Sequence, residues 1–203
     1  MSSQDQTAPA PLSDRIPHNQ TAQISTMAVM AFISTVFVSL RFASRILNKT
    51  GVGRDDWTCM GALIISYGAL TMIVVAAVLG RAAHHITEDD AATLKTYSKV
   101  VTSHGILYHT SISLAKISIL LFYLRIFAIS RPSLTATWVV GALTAAFWLA
   151  AIFGIIFTTS PVKAQWELSI PHTSINYYAF SMIMGVANIV LDVTLLFFFL
   201  GRL

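Results

Sequence analysis

Apolar residues in this chain gather into five long blocks, at about 24–47, 57–80, 99–127, 134–158 and 176–200, with short polar stretches between them. Each block can cross a bilayer, which takes ~20 mostly apolar residues in a helix. In lipid every backbone polar group must be satisfied internally, so such blocks form helices. The pattern predicts an all-α membrane protein, a polytopic bundle, with the lipid bilayer as its first partner. Residues 1–23 are rich in Ser, Gln, Thr, Ala and Pro without a periodic apolar face, and read as a flexible tail ahead of a transmembrane domain over 24–203.

Composition sharpens this picture. The chain is 55% hydrophobic and 11% charged, against roughly 25% charged in an average soluble domain. Its net charge of +4 carries no nucleic-acid signal, because most basic residues sit at the ends of apolar blocks. One cysteine, Cys59, excludes an internal disulfide or a Cys-rich metal cluster. The polar N-terminus lacks the basic-then-apolar order of a cleavable signal peptide.

Lysines and arginines orient the chain. With the N-terminus outside, the inner side holds Arg41, Arg45, Lys49, Arg54, Arg125, Arg131 and Arg202, and the outer side holds Arg15, Arg81, Lys95, Lys99 and Lys163. The bias favours an outside or lumenal N-terminus and a cytoplasmic C-terminus, in the plasma membrane or an endomembrane. The sequon Asn19-Gln20-Thr21 then faces the lumen, making Asn19 the glycosylation candidate, while Asn48-Lys49-Thr50 faces the cytoplasm.

Local signals mark how the blocks begin and meet. Asp55-Asp56 opens the second span, where carboxylates complement the helix dipole. Arg41 and Arg45, one turn apart, snorkel at the end of the first span, and Arg125 anchors the end of the third. Ala142, Ala146, Ala150 and Gly154 form a stripe of small residues on the fourth, a surface that lets another helix approach closely.

The most distinctive stretch is Leu114-Ala115-Lys116-Ile117-Ser118-Ile119-Leu120-Leu121-Phe122-Tyr123-Leu124-Arg125-Ile126-Phe127. With Leu40-Arg41-Phe42-Ala43-Ser44-Arg45, Gly53-Arg54-Asp55-Asp56-Trp57, Ser160-Pro161-Val162 with Trp166, and Asn188-Ile189-Val190-Leu191-Asp192, it closely resembles the fungal rhodopsin-like domain. That family holds seven-helix integral membrane proteins, including pathogenesis-related receptor-like proteins and members in mycotoxin gene clusters such as the satratoxin one. The resemblance implies a seven-helix architecture of which this sequence supplies five spans, as in a truncated form. Arg81-Ala82-Ala83 stand before His84-His85 where the family has a glycine-rich turn, and Thr159 stands where it has an outer-loop cysteine.

Candidate chemistry lies at membrane depth. Lys116 is costly there without a partner, and Asp192 is the available carboxylate. Lys116 lies about eleven residues and Asp192 about eight from the inner ends of their spans, a depth difference of roughly 5 Å that a lysine stem can bridge. Such a pair serves either as a proton or ligand site or as an ion pair that sets helix register. His104, Tyr108, His109 and Asn188 are candidates to line an outward-opening cavity between the second, third and fifth spans, with Ser111 and Ser113 as further polar groups. His84, His85, Glu88, Asp89 and Asp90 lie in the loop before the third span, but no spacing here is a metal-ligand motif. Nothing resembles nucleophilic catalysis or a phosphate-binding glycine loop, and nothing marks Lys116 as a Schiff-base lysine, so no cofactor is expected. Two functions stay open, beside the plainer reading of a truncated relic that only dimerises or is degraded. One is a receptor-like or accessory membrane protein without catalysis of its own, taking a small-molecule ligand. The other is a membrane component, enzyme or transport aid, of a fungal secondary-metabolite pathway.

Overall fold

The computed structural model describes residues 12–49, 51–85, 91–127, 131–167, 170–171 and 173–200. Five helices carry the architecture: α1 (Leu12–Leu47), α2 (Arg54–His85), α3 (Ala91–Phe127), α4 (Arg131–Ile156) and α5 (Tyr177–Leu200). Between α4 and α5 a short antiparallel pair, β1 (Thr159–Ser160) and β2 (Thr173–Ser174), closes a hairpin with Thr159 opposite Ser174. All five helices contain a segment long and apolar enough to cross a membrane: Ile24–Leu47, Arg54–Leu79, Lys95–Arg125, Leu134–Ile156 and Tyr178–Phe197. The molecule is a helical membrane protein. Its two ends are called here the basic end, with Arg41, Arg45 and Arg125, and the hairpin end.

Helix α1 begins at Leu12, inside the stretch read from composition as a flexible tail. Extending an existing helix adds a backbone hydrogen bond for each residue fixed and needs no new nucleus. A polar composition alone therefore does not end a helix. Asn19 falls within this N-terminal extension.

Helix α3 is the central element, packed most extensively on α2 and next on α4, while α5 makes the slightest interface. The α2–α3 seam follows from small residues. Ala62, Ala69 and Ala76 recur at seven-residue spacing on the buried face of α2, leaving its carbonyls within reach of α3. The Ser111 hydroxyl donates to Ala62 O at 3.0 Å, and one heptad away His104 Nδ1 lies 2.9 Å from Ala69 O. Trp148 Nε1 donates to Thr110 Oγ1 at 3.1 Å and ties α4 to the same helix.

The buried face of α4 is Thr137, Val140, Thr144, Phe147, Ala151 and Ile155. The small-residue stripe lies elsewhere: Ala142, Ala146 and Ala150 are exposed. Gly154 of the stripe faces α5, where a Cβ would overlap the Phe180 ring. With lipid as apolar as a protein interior, smallness does not decide which face turns inward; shape fit and hydrogen bonding do.

Candidate functional site

Helices α3, α4 and α5, with α4 in the place expected of the second helix, form a cavity of about 270 Å³ at membrane depth, lined among others by His104, Gly105, Tyr108, His109, Ile155, Phe180 and Asn188. His104, Tyr108, His109 and Asn188, marked in the sequence as polar groups at this depth, therefore share one cavity. The α2 carbonyl of Ala69 holds His104. The His104 and Tyr108 rings stack with centroids 6.1 Å apart. Tyr108 meets His109 edge-on at 5.3 Å, and His109 in turn meets Phe147 of α4 at 6.0 Å. The chain thus presents a ladder of amphipathic rings along one face of α3. His109 Nδ1 is buried and has no hydrogen-bond partner among the described residues. Buried polar atoms are nearly always paired, so this nitrogen is the chemically open group of the cavity.

At the foot of the cavity stand Lys116 and Asp192. Lys116 Nζ lies 3.0 Å from Asp192 Oδ1, with the lysine side chain 5% and the aspartate 54% exposed. The ammonium also donates to Asn188 Oδ1 at 2.8 Å and Asn188 O at 3.1 Å. Asn188 Nδ2 in turn reaches Asp192 Oδ2 at 3.4 Å, and the Phe147 ring centroid lies 5.8 Å from Nζ. Three oxygens around one ammonium match its three donors. Asn188 is thus both cavity wall and link between the two charges.

Other residues singled out from the sequence lie apart from the cavity. Ser111 is directed to α2, and Ser113 is buried. His84 and His85 end α2, while Glu88, Asp89 and Asp90 lie outside the described residues.

The basic end holds a cluster that separate readings of its members missed. Asp55 and Asp56, buried at the start of α2, do more than complement a dipole, and Arg41, Arg45 and Arg125 do more than anchor helix ends. Arg41 reaches Asp55 at 2.7 Å and Asp56 at 2.8 Å, Arg45 reaches Asp55 at 3.0 Å, and Arg125 reaches Asp55 at 3.4 Å. Arg41 and Arg45 also lie over the Phe122 ring of α3, at 5.0 and 5.3 Å from its centroid. The Ser118 hydroxyl donates to Asp55 O at 2.6 Å. Three helices are therefore joined through two carboxylates. The available signal was the pair Arg41/Arg45 ending one span just before Asp55-Asp56 opens the next, with opposite charges across one short loop.

Comparison with known proteins places this geometry. The fungal rhodopsin domain matches residues 40–201. The chain belongs to that family. This fungal rhodopsin-domain chain is 28% identical over 176 residues to a phomoidride biosynthesis cluster protein H from a fungal species, covering 74% of the chain and 63% of the relative. It is 28% identical over 178 residues to the polyenoic acids biosynthesis gene cluster protein Ba17b of Metarhizium anisopliae, covering 84% of the chain and 47% of the relative. An SAT4 family membrane protein of Emericella nidulans is 31% identical over 119 residues, 58% of the chain and 31% of that protein. The chain thus spans less than two thirds of the length of these relatives. No solved structure matches it.

Proposed function

We propose that this protein is an accessory membrane component of a fungal secondary-metabolite pathway, and that it binds a small organic molecule in the α3–α4–α5 cavity. The cavity carries the reading: apolar walls, convergent polar groups and the open His109 nitrogen are the composition of a ligand site. Relatives named for biosynthesis clusters supply the pathway context. The Lys116–Asn188–Asp192 network is assigned to holding α5 against α3, since its ammonium donors are already met within the protein. We place the N-terminus outside or in the lumen, because the inner ends of the spans are the more basic. A reporter fused after Leu203 should then be cytoplasmic, and a lumenal reporter would reverse the orientation.

A receptor-like reading has one observation in its favour. Helix α3 carries both the cavity residues and, through Ser118, Phe122 and Arg125, the cluster at the basic end. Occupancy could thus be felt at the opposite side of the membrane. Gene deletion followed by metabolite profiling separates the two. Loss of one product with build-up of a related precursor, restored by the parent gene but not by a His109→Leu variant, supports the pathway role. An unchanged profile with an altered response to an external cue supports the receptor. A null result in both overturns both.

A further inference from the structure

The membrane-depth cavity has a neighbour toward the hairpin end, about 210 Å³ in volume and lined by Tyr97, Ser98, Thr102, Thr158 and Gln165 among others. Gly105 and Ile155 line both cavities. A Cβ on Gly105 would stand 3.3 Å from Ile155 Cδ1, so one glycine and one isoleucine side chain form the constriction between them. The outer cavity has a fixed chemical polarity. Gln165 Nε2 donates to Ile155 O at 3.0 Å and Ile156 O at 2.8 Å, capping the last carbonyls of α4. Both amide hydrogens are used and the amide cannot turn over without losing them. Its Oε1 is left buried, with no hydrogen-bond partner among the described residues. An acceptor in that position is satisfied by an O–H or N–H donor and is repelled by a carboxylate or phosphate oxygen.

We propose that the two cavities are one elongated site joined at Gly105. Its ligand is a neutral molecule bearing a hydroxyl or amide N–H, whose donor end meets Gln165 Oε1 and whose apolar body runs past Gly105 toward His109 and Phe180. This rests on the small-molecule reading above and adds the ligand class and the side from which it comes. Gln165 then has a second role besides capping α4: it selects for a donor.

The test uses the full chain in detergent with two probes that differ by one donor, 4-hexylphenol and its methyl ether 4-hexylanisole, followed by saturation-transfer NMR. The phenol should bind about tenfold more tightly. Gln165→Met should remove that preference, and Gly105→Val should weaken 4-hexylphenol while sparing phenol, which fits the outer cavity alone. Equal binding of the two hexyl probes would overturn the donor assignment and leave the cavity reading standing. Unimpeded binding of 4-hexylphenol by Gly105→Val would overturn the joined site. Failure of every probe to bind would overturn the small-molecule reading itself, and the proposal with it.

Discussion

Asp56 caps its own helix and holds another. Its Oδ2 accepts from the Gly53 backbone N–H at 2.9 Å, the reach-back half of a capping box. Its Oδ1 accepts from Arg41 Nε of α1 at 2.8 Å. The carboxylate is 0% exposed, and an amide in its place keeps one acceptor oxygen for two donors, so either the Gly53 cap or the Arg41 Nε contact is lost while Arg41 retains Asp55. Losing one charge-assisted hydrogen bond at a buried carboxylate costs about 1.5–3 kcal/mol. Asp56→Asn should therefore lower the thermal midpoint of the detergent-purified protein by several degrees, and Arg125→Gln, at the longer contacts and with a more exposed side chain, by distinctly less. Equal midpoints for Asp56→Asn and the parent would show that the cluster carries no stability.

Gly53 is tested by the smallest addition. A Cβ there would overlap Asp55 Oδ1 and Arg125 Nη1. Alanine stiffens the unfolded chain, which by itself stabilises by roughly 0.4–1 kcal/mol where the native backbone accepts it. The overlap opposes this by forcing apart the α2–α3 contact of the cluster. We expect Gly53→Ala to destabilise by about 1–3 kcal/mol, read as a lower midpoint, and Gly51→Ala to destabilise through its positive φ of 71° instead. If Arg125→Gln relieves the Gly53→Ala defect, the overlap is its cause; simple additivity would assign the defect to the loop.

At the hairpin end, Lys95 Nζ and Glu167 Oε1 are 2.8 Å apart. The hydrogen bond and charge of Lys95 hold the Glu167 carboxyl below its ordinary 4.5. A carboxyl depressed in the folded state contributes stability above its unfolded value, and that contribution is lost as pH falls through the lower folded value. The parent should be slightly more stable than Glu167→Gln at pH 6, and the gap should close below about pH 4.5. Added salt should shrink it at pH 6, because both side chains are partly exposed. A gap unchanged by acid would remove the ion pair as its source.

What could be read in advance follows from what lipid does to a sequence. Hydropathy marks spans strongly, so the five helices were legible. Polar residues at membrane depth are rare enough to stand out singly, which is why His104, Tyr108, His109 and Asn188 could be grouped before any contact was known. Facing was not legible. The exposed Ala142–Ala150 stripe and the buried Thr137 and Thr144 follow no order of size or polarity, because neither side of a membrane helix meets water. Nor was Gln165, whose meaning depends on the carbonyls that end α4 in space. The Arg–Asp cluster needs α1, α2 and α3 together, and each residue taken alone has an ordinary role at a helix end.

Lys116 and Asp192 give the last test, because Asn188 makes their contributions unequal. With Asp192 replaced by Leu, the buried ammonium keeps Asn188 Oδ1 and O as acceptors but loses its counter-charge. With Lys116 replaced by Met, the half-exposed carboxylate keeps only the 3.4 Å contact from Asn188 Nδ2. A charge at membrane depth costs several kcal/mol when unpaired, so each single variant should lower folded yield, Asp192→Leu the more because its stranded charge is the buried one. The double variant Lys116→Met with Asp192→Leu strands neither charge and should recover part of the yield. A double variant no better than the worse single one would mean that the two residues contribute independently. In that case Lys116 would hold α5 through Asn188 O and Oδ1 rather than through Asp192, and Asn188→Leu would weaken that hold.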